Sequence, residues 1–526
     1  MQAQEIRPDE TFDLIVVGAG LGGSITSARI AQFGVNSRNG EKLKVALFEQ
    51  GPYLLKGDPA RGYGSPERRA KLTNLVDEVG KIGELVGGAM THAGLIEYPV
   101  APIDFVHHRE ATGVDWTWES MGPAIAEMQA MWSPYPDPEE VRTPGQQRFR
   151  KAALGMGLDV YEVGQARLNC IHCGCCNGRI CKYDAKSTPL VTYIPIAERE
   201  GVRIISNSHV EKVLIEKKGS RPVATGVVYK LNGELRRALA GKVIVSCGSG
   251  ATPRLLYASG YGPRGKVQGE LLAENRNVGA SRPLNAIVAP PVEALFDVPI
   301  KHPDIEVHSV YYVERGFGPG GYNRLILRDD FGDREGTRTW ASDLALKGVA
   351  PAFGREHKRY MKNAMTQWGY IGIEIHRVQL EGAGMPVVEE SPTPQAGSPD
   401  DGGEGGGTGT QPRDWWAKNQ PKLFEALRTG QELAYKILKE MGATKITGHE
   451  RLPERIGGGE GSACRAGATA ENSVVNSDLE SHDVDNLFIC DQSVLPSLPS
   501  RHYAMPTAVV ANHAWRRIVA KHFSRA

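Results

Sequence analysis

The segment FDLIVVGAGLGGSITSARIAQFG, residues 12–34, constrains this chain more than any other. A short apolar strand runs into a glycine turn and then into a helix that opens on small residues. KVALFEQG follows as a second strand and ends on an acid. Strand, turn, helix, strand and acid in that order form the opening half of a dinucleotide-binding fold. Gly18, Gly20 and Gly23 let the backbone approach a pyrophosphate, while the helix N-terminus turns its free N–H groups toward the negative charge. Glu49 closes the second strand, where its carboxylate can accept hydrogen bonds from ribose hydroxyls. The interval from Gly18 to Glu49 exceeds the roughly 20 residues usual for the motif, and NSRNGEK reads as a loop insertion that accounts for it. This motif alone does not separate NAD from FAD.

The 526 residues are too many for one hydrophobic core, so the chain should divide into two or three domains. With 40% hydrophobic and 23% charged residues it reads as globular rather than disordered. A net charge of +1 argues against a nucleic-acid binder, which needs an excess of Lys and Arg to displace counterions. No run approaches the roughly 20 apolar residues that span a bilayer. The N-terminus passes into a strand with no leader of its own, so a cytoplasmic location is expected, or a periplasmic one by export with a signal-bearing partner. Alternating runs between about 300 and 385, such as YNRLILRDD and QWGYIGIEIHRVQLE, predict an antiparallel sheet in a second domain. Residues 391–413 lack apolar periodicity and read as a surface loop. DWWAKNQPKLFEALRTGQELAYKILKEMG has helical spacing, interrupted at Pro421 and stopped at Gly442.

Five of the eight cysteines crowd into NCIHCGCCNGRIC, residues 169–181. Cys170, Cys173, Cys175, Cys176 and Cys181 can wrap an iron-sulfur cluster, because close-set thiolates on an irregular loop converge on one small body. Two CxxC-like steps can also make a zinc site, and disulfides or inert thiols are further readings. Spacing does not choose among them.

From end to end the chain resembles the glucose, methanol and choline (GMC) family of flavin oxidoreductases. VGGAMTHAG at 86–94 resembles the glycine-rich loop that passes beside the flavin ring, and GSGATPRLLYASGYG at 248–262 is similar to the family's internal signature, one residue shorter. NLFICDQSVLPSLP resembles the strand that carries a carboxylate to the flavin ribityl chain. The resemblance implies FAD as cofactor, with Asp491 as that carboxylate and Val210 holding the adenine through its backbone amide. In the pyranose oxidase and fructose dehydrogenase branches a histidine at the position of His92 is bonded to the flavin; here covalent attachment and a plain hydrogen bond stay open.

The implied architecture is α/β. A Rossmann-like FAD-binding domain is built from 1–105, 201–290 and 456–526, with a connecting segment at 106–200 that holds the cysteine insert. A mostly antiparallel substrate domain spans 291–455. Sugar dehydrogenases of the family carry a cysteine-rich insert in the same region that binds a three-iron cluster, although their cysteines are spaced differently. The resemblance therefore implies a three-iron or four-iron cluster, a small companion subunit, and a cytochrome or other electron acceptor.

The catalytic positions depart from the family. Its histidine falls on about Gly459 in GGGEGSACRAG, and the partner before PT is Met505. Neither can accept a proton, which a general base must do. The leading expectation is a displaced base, His502 in SRHYAMPT, with Tyr503 as hydrogen-bond partner. Glu460 or His449 could replace the base, or the site could draw on His376 and Tyr370 of the second domain. The expected activity is hydride removal from a hydroxyl-bearing carbon of a sugar, glycoside or polyol, with electrons leaving through the cluster. A pyranose-oxidase-like enzyme using dioxygen, and an electron-transfer subunit that oxidises no alcohol, are the alternatives.

Overall fold

A computed structural model describes residues 9–56, 83–91, 93, 96–172, 180–280, 286–302, 310–317, 323–330, 345–346, 348, 351–376, 411–412, 418, 421–450, 455–456 and 461–524. The opening motif folds as read: β1 (Glu10–Val17), α1 (Leu21–Phe33) and β2 (Val45–Phe48). Further along come α2 (Pro144–Gly155), β3 (Val160–Glu162), β4 (Arg203–Ile205), β5 (Ser208–Lys218), β6 (Arg221–Leu231) and β7 (Glu234–Val245). The second half supplies β8 (Ala286–Leu295), β9 (Tyr311–Phe317), β10 (Asn323–Asp330), β11 (Trp368–His376) and α3 (Pro421–Glu440). It closes with β12 (Lys445–Thr447), β13 (Leu487–Ile489) and α4 (Ala504–His522).

The first sheet runs β4-β2-β1-β7-β6-β5, with β13 also on β7. Its centre is parallel: β1 pairs with β2 and β7, β2 with β4, and β7 with β13. Leu14, Ile15 and Val16 are fully buried in succession, because a central parallel strand is covered on both faces and cannot alternate. The hairpins β5–β6 and β6–β7 extend the sheet antiparallel.

The second sheet runs β12-β8-β11-β10-β9-β3 and is antiparallel throughout. Here alternation governs. Ile371, Ile373 and Ile375 of β11 and Leu325 and Leu327 of β10 enter a core shared with Phe149 of α2 and Leu427, Ile437 and Leu438 of α3. The intervening residues, Arg324, Arg328, Glu374 and His376, occupy the opposite face. Pro421 is the first residue of α3, in keeping with proline's fit to a first helical turn, and Lys418 just before it is helical as well. Gly442, at φ +85°, ends the turn that follows, a conformation glycine adopts without strain. Val160–Glu162, from the segment expected to be a connector, is the edge strand on β9. Among the described residues no helix is long and apolar enough to cross a membrane.

Candidate active site

Two glycine loops meet where β1 ends. Gly18 has φ +95° and its N–H donates to Phe48 O at 2.8 Å, tying the turn to β2. Gly87 N–H donates to Ala19 O at 2.8 Å, and a Cβ added at Gly88 would lie 2.6 Å from Gly20 Cα. So the second loop packs directly on the first, and only glycines allow that approach. A Cβ at Gly20 would meet nothing within 4 Å, which leaves open space at the start of α1, where an anion is favoured.

Glu49 is buried at the end of β2. Its Oε2 accepts from Ala19 N–H and its Oε1 from Gly51 N–H, both at 2.9 Å. Burial pushes its carboxyl up, and those two N–H groups pull it down. It thus shapes the glycine turn itself, with lone pairs left over for a ribose. Val210 lies in β5 at a register shift beside Tyr229, and Ser208 N–H donates to Glu49 O at 2.9 Å, which brings this strand to the end of β2. Asp491, just past β13, accepts from Gly248 N–H at 2.9 Å, Thr252 Oγ1 at 2.6 Å and Ser493 N–H at 2.8 Å. It therefore joins the 248–262 signature to the chain's last strand. Buried Ser249 Oγ beside it has no hydrogen-bond partner among the described residues. The open glycine cradle, the acid and this orphaned hydroxyl fit a dinucleotide. His92 lies outside the described residues.

The second constellation joins the two sheets. Glu374 and His376 of β11 point from the face opposite its isoleucines and meet His502, which stands just before α4. His376 Nε2–H donates to Glu374 Oε2 at 2.9 Å, and His502 Nε2–H donates to the same oxygen at 3.2 Å. Arg328 of β10 reaches Glu374 Oε1 with NH1 at 2.6 Å and Asp330 with Nε at 3.0 Å. Burial alone would raise the Glu374 carboxyl, but Arg328 and the two imidazoles hold it well below the usual carboxylate range. His376 is lowered, chiefly by its complete burial, against the pull of Glu374. Tyr98 packs edge-on against His502 and Tyr312, with centroids 5.0 and 4.8 Å away. Next to His502, Arg501 pairs with Glu314 at 3.0 Å and donates to Pro99 O, which fixes the loop against the second sheet.

His502 and His376 therefore occupy one site rather than being alternatives. Tyr503 sits at the N-cap of α4, where its carbonyl accepts from Thr507 Oγ1 at 2.7 Å, and the residue paired with His502 is Glu374. Met505 is buried in α4. His449 packs against the ring of Tyr435 of α3 at a tilt of 41°, and Tyr370 lies beside Trp368. Gly459 and Glu460 lie outside the described residues. The sequence reading missed Glu374 and Arg328. Their signal was the spacing: Glu374 and His376 are two apart in a strand, so they share a face.

Of the cysteine-rich segment, Cys170 and Cys181 are described, both free, whereas Cys173, Cys175 and Cys176 lie outside the described residues. An antiparallel bridge between Arg167 and Lys186 and the bond from Leu168 N–H to Ala185 O at 2.7 Å pair the chain just before Cys170 with the chain just after Cys181. His172 N–H donates to Cys170 Sγ at 3.3 Å.

The chain is 23% identical over 523 residues to a long-chain-alcohol oxidase of Arabidopsis thaliana, covering 92% of this chain and 65% of that protein. It is 24% identical over 294 residues to a cholesterol oxidase of Mycobacterium tuberculosis, covering 48% of each. The chain thus spans about half to two thirds of the length of these relatives. Its fold matches solved structures of a formate oxidase (TM-score 0.65, 15% identity, 98% of this chain and 99% of that one) and of a pyridoxine 4-oxidase from Mesorbium loti (TM-score 0.64, 14% identity, 96% and 98%). The family models for the N- and C-terminal regions of GMC oxidoreductases match residues 79–281 and 414–511, which take in the second glycine loop, the Asp491 strand and His502. On that match and this architecture, the chain belongs to the GMC oxidoreductase family.

Proposed function

We propose that this chain is an FAD-dependent oxidoreductase acting on a hydroxyl-bearing carbon, with His502 as the base. The observation that carries this is the Glu374–His376–His502 cluster, which puts a proton acceptor in the loop before α4 although the usual positions hold Gly459 and Met505. When bound in the glycine cradle, FAD supplies hydride acceptance. The protein's part is to take the hydroxyl proton. Both imidazoles donate Nε2–H to Glu374 Oε2, so each keeps its lone pair on Nδ1. His376 is fully buried, while the His502 side chain is 33% exposed, so His502 Nδ1 is the basic nitrogen available to a substrate. Glu374 fixes the tautomer and stabilises the imidazolium that forms. Arg328 keeps Glu374 ionised for that role.

Anaerobic stopped-flow absorbance tests the reading with a panel of long-chain alcohols, sterols, sugars and polyols. Bleaching of the flavin band by one class, abolished in His502→Ala while the flavin stays bound, supports it. Undiminished bleaching in His502→Ala removes His502 from the mechanism. The oxidases among the relatives favour dioxygen as electron acceptor, and peroxide formation under air measures that directly.

A second reading, a sugar dehydrogenase that passes electrons through an iron-sulfur cluster to a companion subunit or cytochrome, is favoured by the pairing of the chain just before Cys170 with the chain just after Cys181. Those two, with Cys173, Cys175 and Cys176, would supply the thiolates for one-electron transfer. Iron and acid-labile sulfide in the purified protein decide between the readings.

A further inference from the structure

The Glu374–His376–His502 cluster has a second chemical capacity. One ligand atom from each of Glu374, His376 and His502 lies within 4.8 Å of the other two. Two of the three edges, 2.9 and 3.2 Å, are already close to the roughly 3.3 Å edge of a tetrahedral zinc site with ligands at about 2.0–2.2 Å. The third edge closes by movement of His502, the partly exposed member. His376 Nδ1 has no hydrogen-bond partner among the described residues, so shifting its proton from Nε2 to Nδ1 frees the inward lone pair without breaking a bond elsewhere. Arg328 engages Oε1 and leaves Oε2 as the ligand oxygen. Its charge opposes a cation, and the surrounding charges balance, Arg324, Arg328 and Arg501 against Glu314, Asp330 and Glu374, so the ion would be held by its three ligands and not by a surplus of negative charge.

We propose that these three side chains bind a borderline d-block dication such as Zn²⁺ or Cu²⁺. Two imidazoles and one carboxylate suit such ions better than Mg²⁺ or Ca²⁺, which prefer all-oxygen shells. The proposal concerns binding alone and is tested without substrate, so it can fail while the alcohol-oxidation reading stands, and the reverse.

The test is equilibrium dialysis of the full-length flavoprotein against Zn²⁺, comparing wild type, His376→Ala and the Cys170→Ser/Cys181→Ser double variant. One Zn²⁺ bound by wild type, retained in the cysteine variant and at least tenfold weaker in His376→Ala, is the expected result. Equal uptake in His376→Ala, loss only in the cysteine variant, or no uptake by wild type overturns the proposal. Cu²⁺ electron paramagnetic resonance gives an independent readout: nitrogen splitting from two imidazoles in wild type, reduced in His376→Ala. Should His376→Ala fail to fold, His502→Ala, at a partly exposed loop position, carries the same expectation.

Discussion

Glu97 offers a sharp test of the structure beside the candidate site. It lies in a two-residue strand, Ile96–Glu97, paired antiparallel with Gly164–Gln165, immediately before the Tyr98 that packs on His502. It is 3% exposed, and its Oε2 has no hydrogen-bond partner among the described residues. Burial pushes its carboxyl from 4.5 up to about 8. The folded chain therefore holds a proton there that the unfolded chain releases above pH 4.5. The stability this contributes is complete below about pH 4.5 and is lost as pH rises toward 8. Each pH unit in that window costs about 1.4 kcal/mol, so the total approaches ~5 kcal/mol as a ceiling. Glu97→Gln keeps the shape and cannot ionise. Its stability relative to wild type, read from urea midpoints at fixed FAD concentration, should be near zero at pH 4.5 and grow to several kcal/mol by pH 8.5. Parallel pH profiles for the two proteins would refute the reasoning, because they would mean that Glu97 finds a partner or water that keeps it ionised in the fold.

Three further outcomes follow from the same geometry. Gly20→Ala adds a methyl that meets no protein atom within 4 Å, so the apoprotein should keep its stability within about 0.5 kcal/mol while FAD affinity falls at least tenfold, measured by flavin fluorescence titration. Glu374→Gln cannot offer one anionic oxygen to two imidazoles and leaves Arg328 with Asp330 alone; flavin reduction should slow by roughly 10²–10⁴-fold, with a stability loss of about 3 kcal/mol by denaturant titration. Gly372→Ala would bring a methyl 2.7 Å from Asp330 Oδ2 and displace the carboxylate that steadies Arg328, at a cost of about 1–2 kcal/mol and a slower flavin reduction in the same stopped-flow assay.

The FAD-binding half was legible because its signals are local. A glycine turn between a strand and a helix, and an acid at the end of the next strand, act over a few residues, and Gly18, Gly20 and Glu49 stand where that logic puts them. Alternation likewise announced the second sheet, since burying one face of an antiparallel strand forces period two. The buried apolar run of β1 and the proline at the start of α3 obey equally local rules.

What the sequence determined by itself was thus the fold class, the dinucleotide cradle and a histidine, His502, in the loop before the last helix. What only the tertiary structure decided was the histidine's company. Glu374 stands 128 residues before it, and Arg328 reaches Glu374 from a neighbouring strand. Their meeting depends on the register of β10 on β11, which pairs Arg328 with Gly372 and so aims the guanidinium diagonally at Glu374. A strand's own pattern says which residues share a face. It says nothing of which strand lies beside it or at what offset, and a site built across neighbouring strands is made of those offsets.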